Sequence, residues 1–283
     1  MSALPDATTV PYPPLRFYGS KWRLAPWIIS FFPPHRLYVE PFGGGAAVLL
    51  RKPQSDIEVY NDMDRALVTF FRLLRDQPEA LSRVIDLTPF AWAELDEALT
   101  NPDNGDELER ARRLYVRSWQ GRGGGRGVMR SGWRRAVDPY KGPRQVEEWN
   151  RPGRLYPAAA RLRQVQIECD DALTVIRRYD HPDALFFCDP PYLPETRGRW
   201  ATKCYAVEMS EADHVALAAT LHSIRGAALI THYLCPLYLD LYADWQLHTA
   251  QTTTDGGYAR TEGLWLSPRV ANAPVQGSLL ETL

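Results

Sequence analysis

The chain has 283 residues, 45% of them hydrophobic, enough apolar material for a substantial core in one large domain or two small ones. No run of eighteen apolar residues occurs, and residues 1–14 are proline-rich and polar, so neither a membrane span nor a secretory leader is expected and the cytoplasm is the expected location. The net charge of −1 hides an asymmetry: residues 110–163 hold fifteen Lys and Arg against Asp138, Glu147 and Glu148, a local +12 set against −13 elsewhere.

A concentrated basic stretch in a neutral chain suits a polyanion, and its near-exclusive use of arginine favours bidentate phosphate or guanine contact. The four cysteines, Cys169, Cys188, Cys204 and Cys235, show no C-x-x-C pair and no zinc-type His spacing, so neither a disulfide nor a structural metal is expected. Cys169 and Cys188 read as small hydrophobes on strands.

In chain order, Leu37–Glu40 reads as a short buried strand, broken by Pro41-Phe42-Gly43-Gly44-Gly45 before an apolar helix at 46–50. Ile57–Tyr60 is a second strand, stopped at Asn61-Asp62, and 63–75 carries Leu67, Phe70, Phe71 and Leu74 at helical spacing. Two β-α units in series imply a parallel sheet. From Pro78 to about Leu162 helical patterns replace strands, at 89–99 and 106–120, the latter with Leu108, Ala111, Tyr115 and Trp119 on one face as a core stripe. The glycine-arginine run Gly121–Gly127 lies among Trp119, Trp133, Tyr140 and Trp149, an interleaving of basic and aromatic residues that suits phosphate contact and base stacking.

The α/β pattern then resumes with strand 165–168, helix 172–178, strand 185–188, helix 211–224, strand 227–231 and helix 236–242. An antiparallel pair follows at 245–254 and 263–266. The expected fold is therefore α/β, a mostly parallel mixed sheet ending in an antiparallel strand pair. Residues 15–77 and 164–268 would form its α/β unit and 78–163 a helical insert, with 1–14 and 271–283 as tails.

Two constellations carry chemistry. Glu40–Gly45 lies just outside the carboxyl end of the first strand, where open α/β sheets bind ligands, and matches neither phosphate-loop glycine pattern. Asp62, ending the next strand, can take both hydroxyls of a ribose, so the pair suggests an adenosine-containing cofactor. Asp189-Pro190-Pro191-Tyr192 follows the apolar run 184–188 and places a carboxylate, a stiff turn and an aromatic ring at one sheet edge. Together these form a receptor for a planar group bearing an exocyclic amine, such as adenine or cytosine.

Five motifs occur in register: Phe17–Lys21, Val39–Gly45, Tyr60–Asp62, Asp189–Tyr192 and Arg260–Trp265. From residue 15 to about 268 the chain thereby resembles the Dam-type (alpha-group) DNA adenine-N6 methyltransferases. The resemblance implies S-adenosylmethionine as methyl donor and a target-recognition insert between the glycine loop and the Asp-Pro-Pro-Tyr turn. It also implies a cofactor pocket built from Phe17, Lys21, Glu40, Pro41, Phe42, Gly43, Gly44, Asp62 and Asp189, with Asp171, or equally Asp170, near the cofactor adenine. One position departs, since the usual final glycine of F-x-G-x-G is Ala46, which tolerates positive φ poorly.

The amine chemistry leads to an expected mechanism: Asp189 and the Pro190 carbonyl accept the two N6 hydrogens, Tyr192 stacks on the base, and the adenine first leaves the duplex. Double-stranded DNA is the expected partner, held by Arg117, Arg122, Arg126, Arg130, Arg134, Arg135 and Lys141, with Arg197 gripping phosphate beside the flipped base. His214 and His232 read as packing or surface residues. A monomer is favoured, with room for a cognate restriction endonuclease as partner. Cytosine-N4 or RNA-base methylation, and an inert DNA-binding protein on the same fold, stand as alternatives.

Overall fold

The computed structural model describes residues 10–122, 132–138, 140, 144–151, 153–197, 205–253 and 259–273. A short helix α1 (Ala25–Ile29) leads to strands β1 (Leu37–Glu40) and β2 (Ile57–Asn61) and to helix α2 (Arg65–Asp76). Five helices follow: α3 (Pro78–Asp86), α4 (Trp92–Thr100), α5 (Glu107–Gln120), α6 (Arg144–Trp149) and α7 (Tyr156–Leu162). The alternation then returns as β3 (Val165–Glu168), α8 (Ala172–Arg178), β4 (Ala184–Cys188), α9 (Glu211–Ser223), β5 (Ala227–Tyr233) and α10 (Pro236–Leu241). Strands β6 (Gln246–Thr253) and β7 (Ala259–Leu266) and helix α11 (Pro268–Ala271) complete the described chain.

These strands form one sheet in the order β3-β2-β1-β4-β5-β7-β6. The first five run parallel, and β7 is antiparallel to both β5 and β6. The centre is apolar on both faces, as parallel sheets covered by helices require: every residue of β4 is buried. Helix starts are set by short polar side chains. Asp64 accepts the Ala66 N–H at 2.9 Å to begin α2, Asp106 accepts the Glu109 N–H at 2.8 Å to begin α5, and Ser210 with Asp213 forms a capping box on α9. From β1 the chain winds outward to β2 and β3, and from β4 the other way to β5. The carboxyl ends of β1 and β4 therefore mark the switch point where such sheets bind ligands.

Four expectations need correction here. The helix expected at 46–50 is a series of turns, in which the Leu49 N–H goes to Glu40 Oε1 at 2.7 Å and its carbonyl accepts from Arg161 Nη2 at 2.9 Å. Ala46 sits at φ 54°, and the i→i−4 bonds are confined to Leu50 N–H with the Ala46 carbonyl and Lys52 N–H with the Val48 carbonyl, interleaved with tighter i→i−3 turns, so no continuous helix forms. The insert also contains three helices, α3, α6 and α7, beyond the two expected.

Residues 10–14, expected as part of a tail, pack against α5. The Trp119 indole donates to the Pro14 carbonyl at 3.0 Å, and Val10 is buried. Cys169 is exposed just beyond β3, whereas Cys188 is buried in β4 as expected. The stripe on α5 does form core: Ala111, Tyr115 and Trp119 share one hydrophobic cluster with Phe70 and Phe71 of α2. Among the described residues no helix is long and apolar enough to cross a membrane.

Candidate active site

At the switch point the end of β2 shapes the glycine turn that follows β1. The Gly43 N–H donates to the Asn61 carbonyl at 2.7 Å, and Gly44 donates to Asp62 Oδ2 at 2.8 Å. The Tyr60 hydroxyl donates to the Gly44 carbonyl at 2.9 Å. A Cβ at Gly43 would fall 2.2 Å from the Tyr60 ring, so the turn can lie on that ring only without a side chain. The Asn61 side chain spans two loops, donating to the Pro41 carbonyl at 2.9 Å and to the Asp170 carbonyl at 3.0 Å while accepting the Asp170 N–H at 2.9 Å.

Above this turn lies a cavity open to solvent. Its walls include Phe17, Lys21, Glu40, Pro41, Phe42, Gly43, Gly44, Asp62, Asp189 and Pro191, so the expected cofactor residues meet there with the single exception of Asp171. Asp171 is instead the exposed N-cap of α8, accepting the Thr174 N–H at 2.9 Å, and the alternative Asp170 pairs with Arg178 at 2.6 Å. Each acid has a local cation or helix terminus that satisfies it, and neither lines the cavity. Nothing in the sequence pattern marked Tyr205, Val207 and Met209, which also line the cavity, Tyr205 with its ring 6.5 Å from that of Phe17.

Asp189 ends β4 with two partners. Lys21 Nζ lies 2.8 Å from Oδ1 and 3.0 Å from Oδ2, and the Thr231 hydroxyl donates to Oδ1 at 2.8 Å. Glu262 of β7 sits 3.5 Å from the same ammonium and accepts a hydrogen bond from the Tyr192 hydroxyl. Burial alone would lower the Lys21 pKa, but Asp189 and Glu262 together raise it above the ordinary lysine range, so the ammonium stays charged. Burial pushes the Glu262 carboxyl up, against the pull of Lys21, and pushes Glu40 up to about 8.

Tyr192 departs from the expected open stacking platform. Its ring is 5% exposed, packed 4.5 Å from the His232 ring and edge-on to Tyr233 at 4.9 Å, with Lys21 Nζ 4.7 Å from its centroid. Its hydroxyl, drawn inward to Glu262, holds it there. Asp189 and Pro191 thus reach the cavity directly, while Pro190 and Tyr192 lie buried behind them. Behind the turn His232 accepts the Leu193 N–H at Nε2, 2.9 Å, and donates from Nδ1 to the Tyr233 carbonyl at 2.7 Å. Both His214 and His232 are packing residues, as expected.

The basic insert divides in two. Arg112 and Arg113 pair with Glu94, Glu97 and Glu109, and Arg161 is buried against Glu58. Arg154 covers the Trp119 ring at 3.6 Å. Arg117, expected to touch DNA, is buried inside α5, and Arg197, expected to grip phosphate, has a side chain 1% exposed and paired with Glu208 at 2.7 Å. Arg122 and Arg135 are exposed and Arg134 half-buried, on two chain segments joined by hydrogen bonds from Arg122 N to the Gly132 carbonyl and from Arg134 N to the Gln120 carbonyl. Arg126, Arg130 and Lys141 lie outside the described residues.

A sheet of this order, with a glycine turn and an acid at adjacent strand ends opposite an Asp-Pro-Pro-Tyr turn, defines a group-transfer enzyme of the methyltransferase type. Residues 17–255 match the model of the D12 class N6 adenine-specific DNA methyltransferases, and the chain belongs to that family. It is an adenine-specific DNA methyltransferase. Among curated proteins it is 24% identical over 265 residues to the Type II methyltransferase M1.LlaDCHI of Lactococcus lactis subsp. cremoris, covering 88% of this chain and 90% of the relative. It is 23% identical over 243 residues to the Type II methyltransferase M.MjaIII of Methanocaldococcus jannaschii, covering 77% and 82%.

Proposed function

We propose that the chain transfers the methyl group of S-adenosylmethionine to N6 of an adenine extruded from duplex DNA, within a specific sequence. The observation that carries this reading is the shared wall: Asp189 and Pro191 line the same cavity as Gly43, Gly44 and Asp62. The residues fit such a cofactor. Phe17 offers an apolar face beside backbone without side chains, Asp62 an acceptor for ribose hydroxyls, and Asp62 and Asp64 carboxylates for a sulfonium, the Asp189 charge being matched by Lys21. When bound, that group supplies an electrophilic methyl carbon.

The rest is the work of the chain's own residues. Adenine N6 is a poor nucleophile because its lone pair is delocalised into the ring. We assign to the Asp189 carboxylate and the Pro190 carbonyl the acceptance of hydrogen bonds from the two N6 hydrogens, which lets the nitrogen pyramidalise toward the cavity; forming its bond to the methyl carbon would break the methyl–sulfur bond, leave a neutral thioether and release one N6 proton to solvent. Lys21 and Thr231 fix the Asp189 oxygens, so the acceptor is preorganised. Stacking by Tyr192 requires its ring to turn out of the His232 nest. Arg122, Arg134 and Arg135 hold DNA, with Arg126, Arg130 and Lys141 assigned to the same surface on charge alone. The names of the two relatives support a restriction endonuclease as cognate partner.

The test is incorporation of a tritiated methyl group into duplex DNA, followed by nucleoside analysis. N6-methyladenine from the wild type and at least about 100-fold slower transfer by Asp189→Ala are expected. Transfer by that variant at the wild-type rate, or N4-methylcytosine as product, overturns the assignment. Arg122→Ala and Arg135→Ala should each reduce the slope of log affinity against log salt by about 0.9.

A further inference from the structure

Arg197 follows the 3₁₀ turn Pro194–Thr196, eight residues past Asp189, and its guanidinium binds Glu208, Tyr192 and Tyr205 among the described residues. Nη1 and Nη2 meet Glu208 Oε1 and Oε2 at 3.0 and 2.7 Å, Nη2 also donates to the Tyr192 carbonyl, and Cζ lies 4.8 Å from the centre of the Tyr205 ring. Tyr205 is one of the residues that wall the cavity. Its ring leans on Phe17 and Tyr18 at 6.5 and 5.9 Å, and its hydroxyl lies 2.7 Å from where a Cβ of Gly19 would be. The Tyr205 N–H donates to Glu208 Oε1 at 3.1 Å, so Glu208 binds both the guanidinium and the backbone of the wall.

We propose that Arg197 is a positioning residue that ties the Asp-Pro-Pro-Tyr turn to the cavity wall, setting the acceptor turn and the cofactor site in one fixed relation. The inference rests on the cavity being the S-adenosylmethionine site. The circuit has two arms. Lys21, carried by the loop that Tyr205 leans on, joins Asp189 directly, and Arg197 joins the other end of the turn to Tyr205. A planar fork is needed for this, since one ion must bind a carboxylate with two nitrogens, donate to a carbonyl and lie over a ring; a lysine ammonium cannot do all three. A side chain 1% exposed and held by two carboxylate bonds is poorly placed to receive a DNA phosphate.

The experiment measures S-adenosylmethionine affinity, KM for S-adenosylmethionine, kcat, and DNA affinity against salt for wild type, Arg197→Gln, Arg197→Lys, Glu208→Gln and the double variant Arg197→Gln/Glu208→Gln. Arg197→Gln should raise KM for the cofactor about tenfold and lower kcat by a similar factor, with the salt slope of DNA binding unchanged. Arg197→Lys should not rescue it, and the double variant should be no worse than Arg197→Gln, because the two residues act as one unit. Glu208 is 29% exposed, so Glu208→Gln carries the test if the Arg197 variants do not fold.

A salt slope reduced by about 0.9 with an unchanged cofactor KM would identify Arg197 as a phosphate contact and overturn the proposal. Unchanged kinetics in every folded variant would also overturn it. A wild-type protein that binds no S-adenosylmethionine refutes the cavity assignment itself, and the proposal with it.

Discussion

Lys21 and Asp189, 168 residues apart, meet with 2.8 Å between ammonium and carboxylate, Lys21 almost wholly buried. The contact joins the loop after the N-terminal segment to the end of β4. Lys21→Met would leave Asp189 and Glu262 facing each other without a cation. Removing one partner of a buried pair costs about 3–5 kcal/mol. The variant is therefore expected to lose that much in denaturant unfolding and to lose methyl transfer, and an unfolding midpoint equal to wild type would count against the pairing.

Glu40 provides a pH test. Burial outweighs its hydrogen bonds from the Tyr38 hydroxyl and the Leu49 N–H and raises its pKa to about 8, from 4.5 when exposed. Between those values the folded chain holds a proton that the unfolded chain has released, so stability falls as pH rises through this window and levels off above it. Glu40→Gln keeps the shape and removes the proton exchange. Its unfolding free energy should exceed that of wild type by roughly 2–4 kcal/mol at pH 8 and converge toward it near pH 5. Parallel pH curves for the two proteins would refute the raised pKa.

Ala46 holds φ at 54° with no exposed surface. Left-handed backbone costs a non-glycine residue about 1–2 kcal/mol, an amount that glycine would recover in strain but offset by greater chain entropy and a lost buried methyl. Ala46→Gly should therefore change stability by less than about 1 kcal/mol and leave cofactor affinity within a few-fold. Ala46→Val combines a β-branched side chain with this φ in a closed site, and a loss above about 2 kcal/mol is expected. Thermal and denaturant unfolding of both variants decide the matter.

Glu58 is buried between Lys52, 2.6 Å away, and Arg161, which also donates to the Leu49 carbonyl. Glu58→Gln would leave two cations in the interior, costing about 3–5 kcal/mol. Because Glu40 holds the Leu49 N–H and Arg161 its carbonyl, and Glu40 lines the cavity, the loosened contact should also weaken S-adenosylmethionine binding, which calorimetric titration can measure. Unchanged stability would show that the triad is not closed in solution.

Most strands were readable because each is an apolar run stopped by Gly, Pro, Asn or Asp, and the two turns carrying chemistry sit at such stops. The turn at 46–50 was not readable, because the backbone of Leu49 at its centre is held by Glu40 and Arg161, the second 112 residues away. Charge was legible as a sum but not as a surface. Arg161 and Arg163 differ by two positions, yet one neutralises Glu58 in the core and the other is exposed. Asp171 was ambiguous because an acid after a strand suits a ribose or adenine and a helix N-cap equally well, and in the structure it caps α8. Glu262 lay within a motif recognised for its order, but its bond to Tyr192 depends on β7 lying beside β5, a pairing that the local pattern does not contain.

His232 sets a different boundary on the enzyme. Accepting from Leu193 at one nitrogen and donating to Tyr233 at the other, the ring is fixed as a single neutral tautomer, and burial holds its pKa down to about 3. A residue type that usually senses acidification is here made deaf to it. Near neutral pH, then, protonation of His232 does not supply a means of altering the Asp-Pro-Pro-Tyr turn that packs on it.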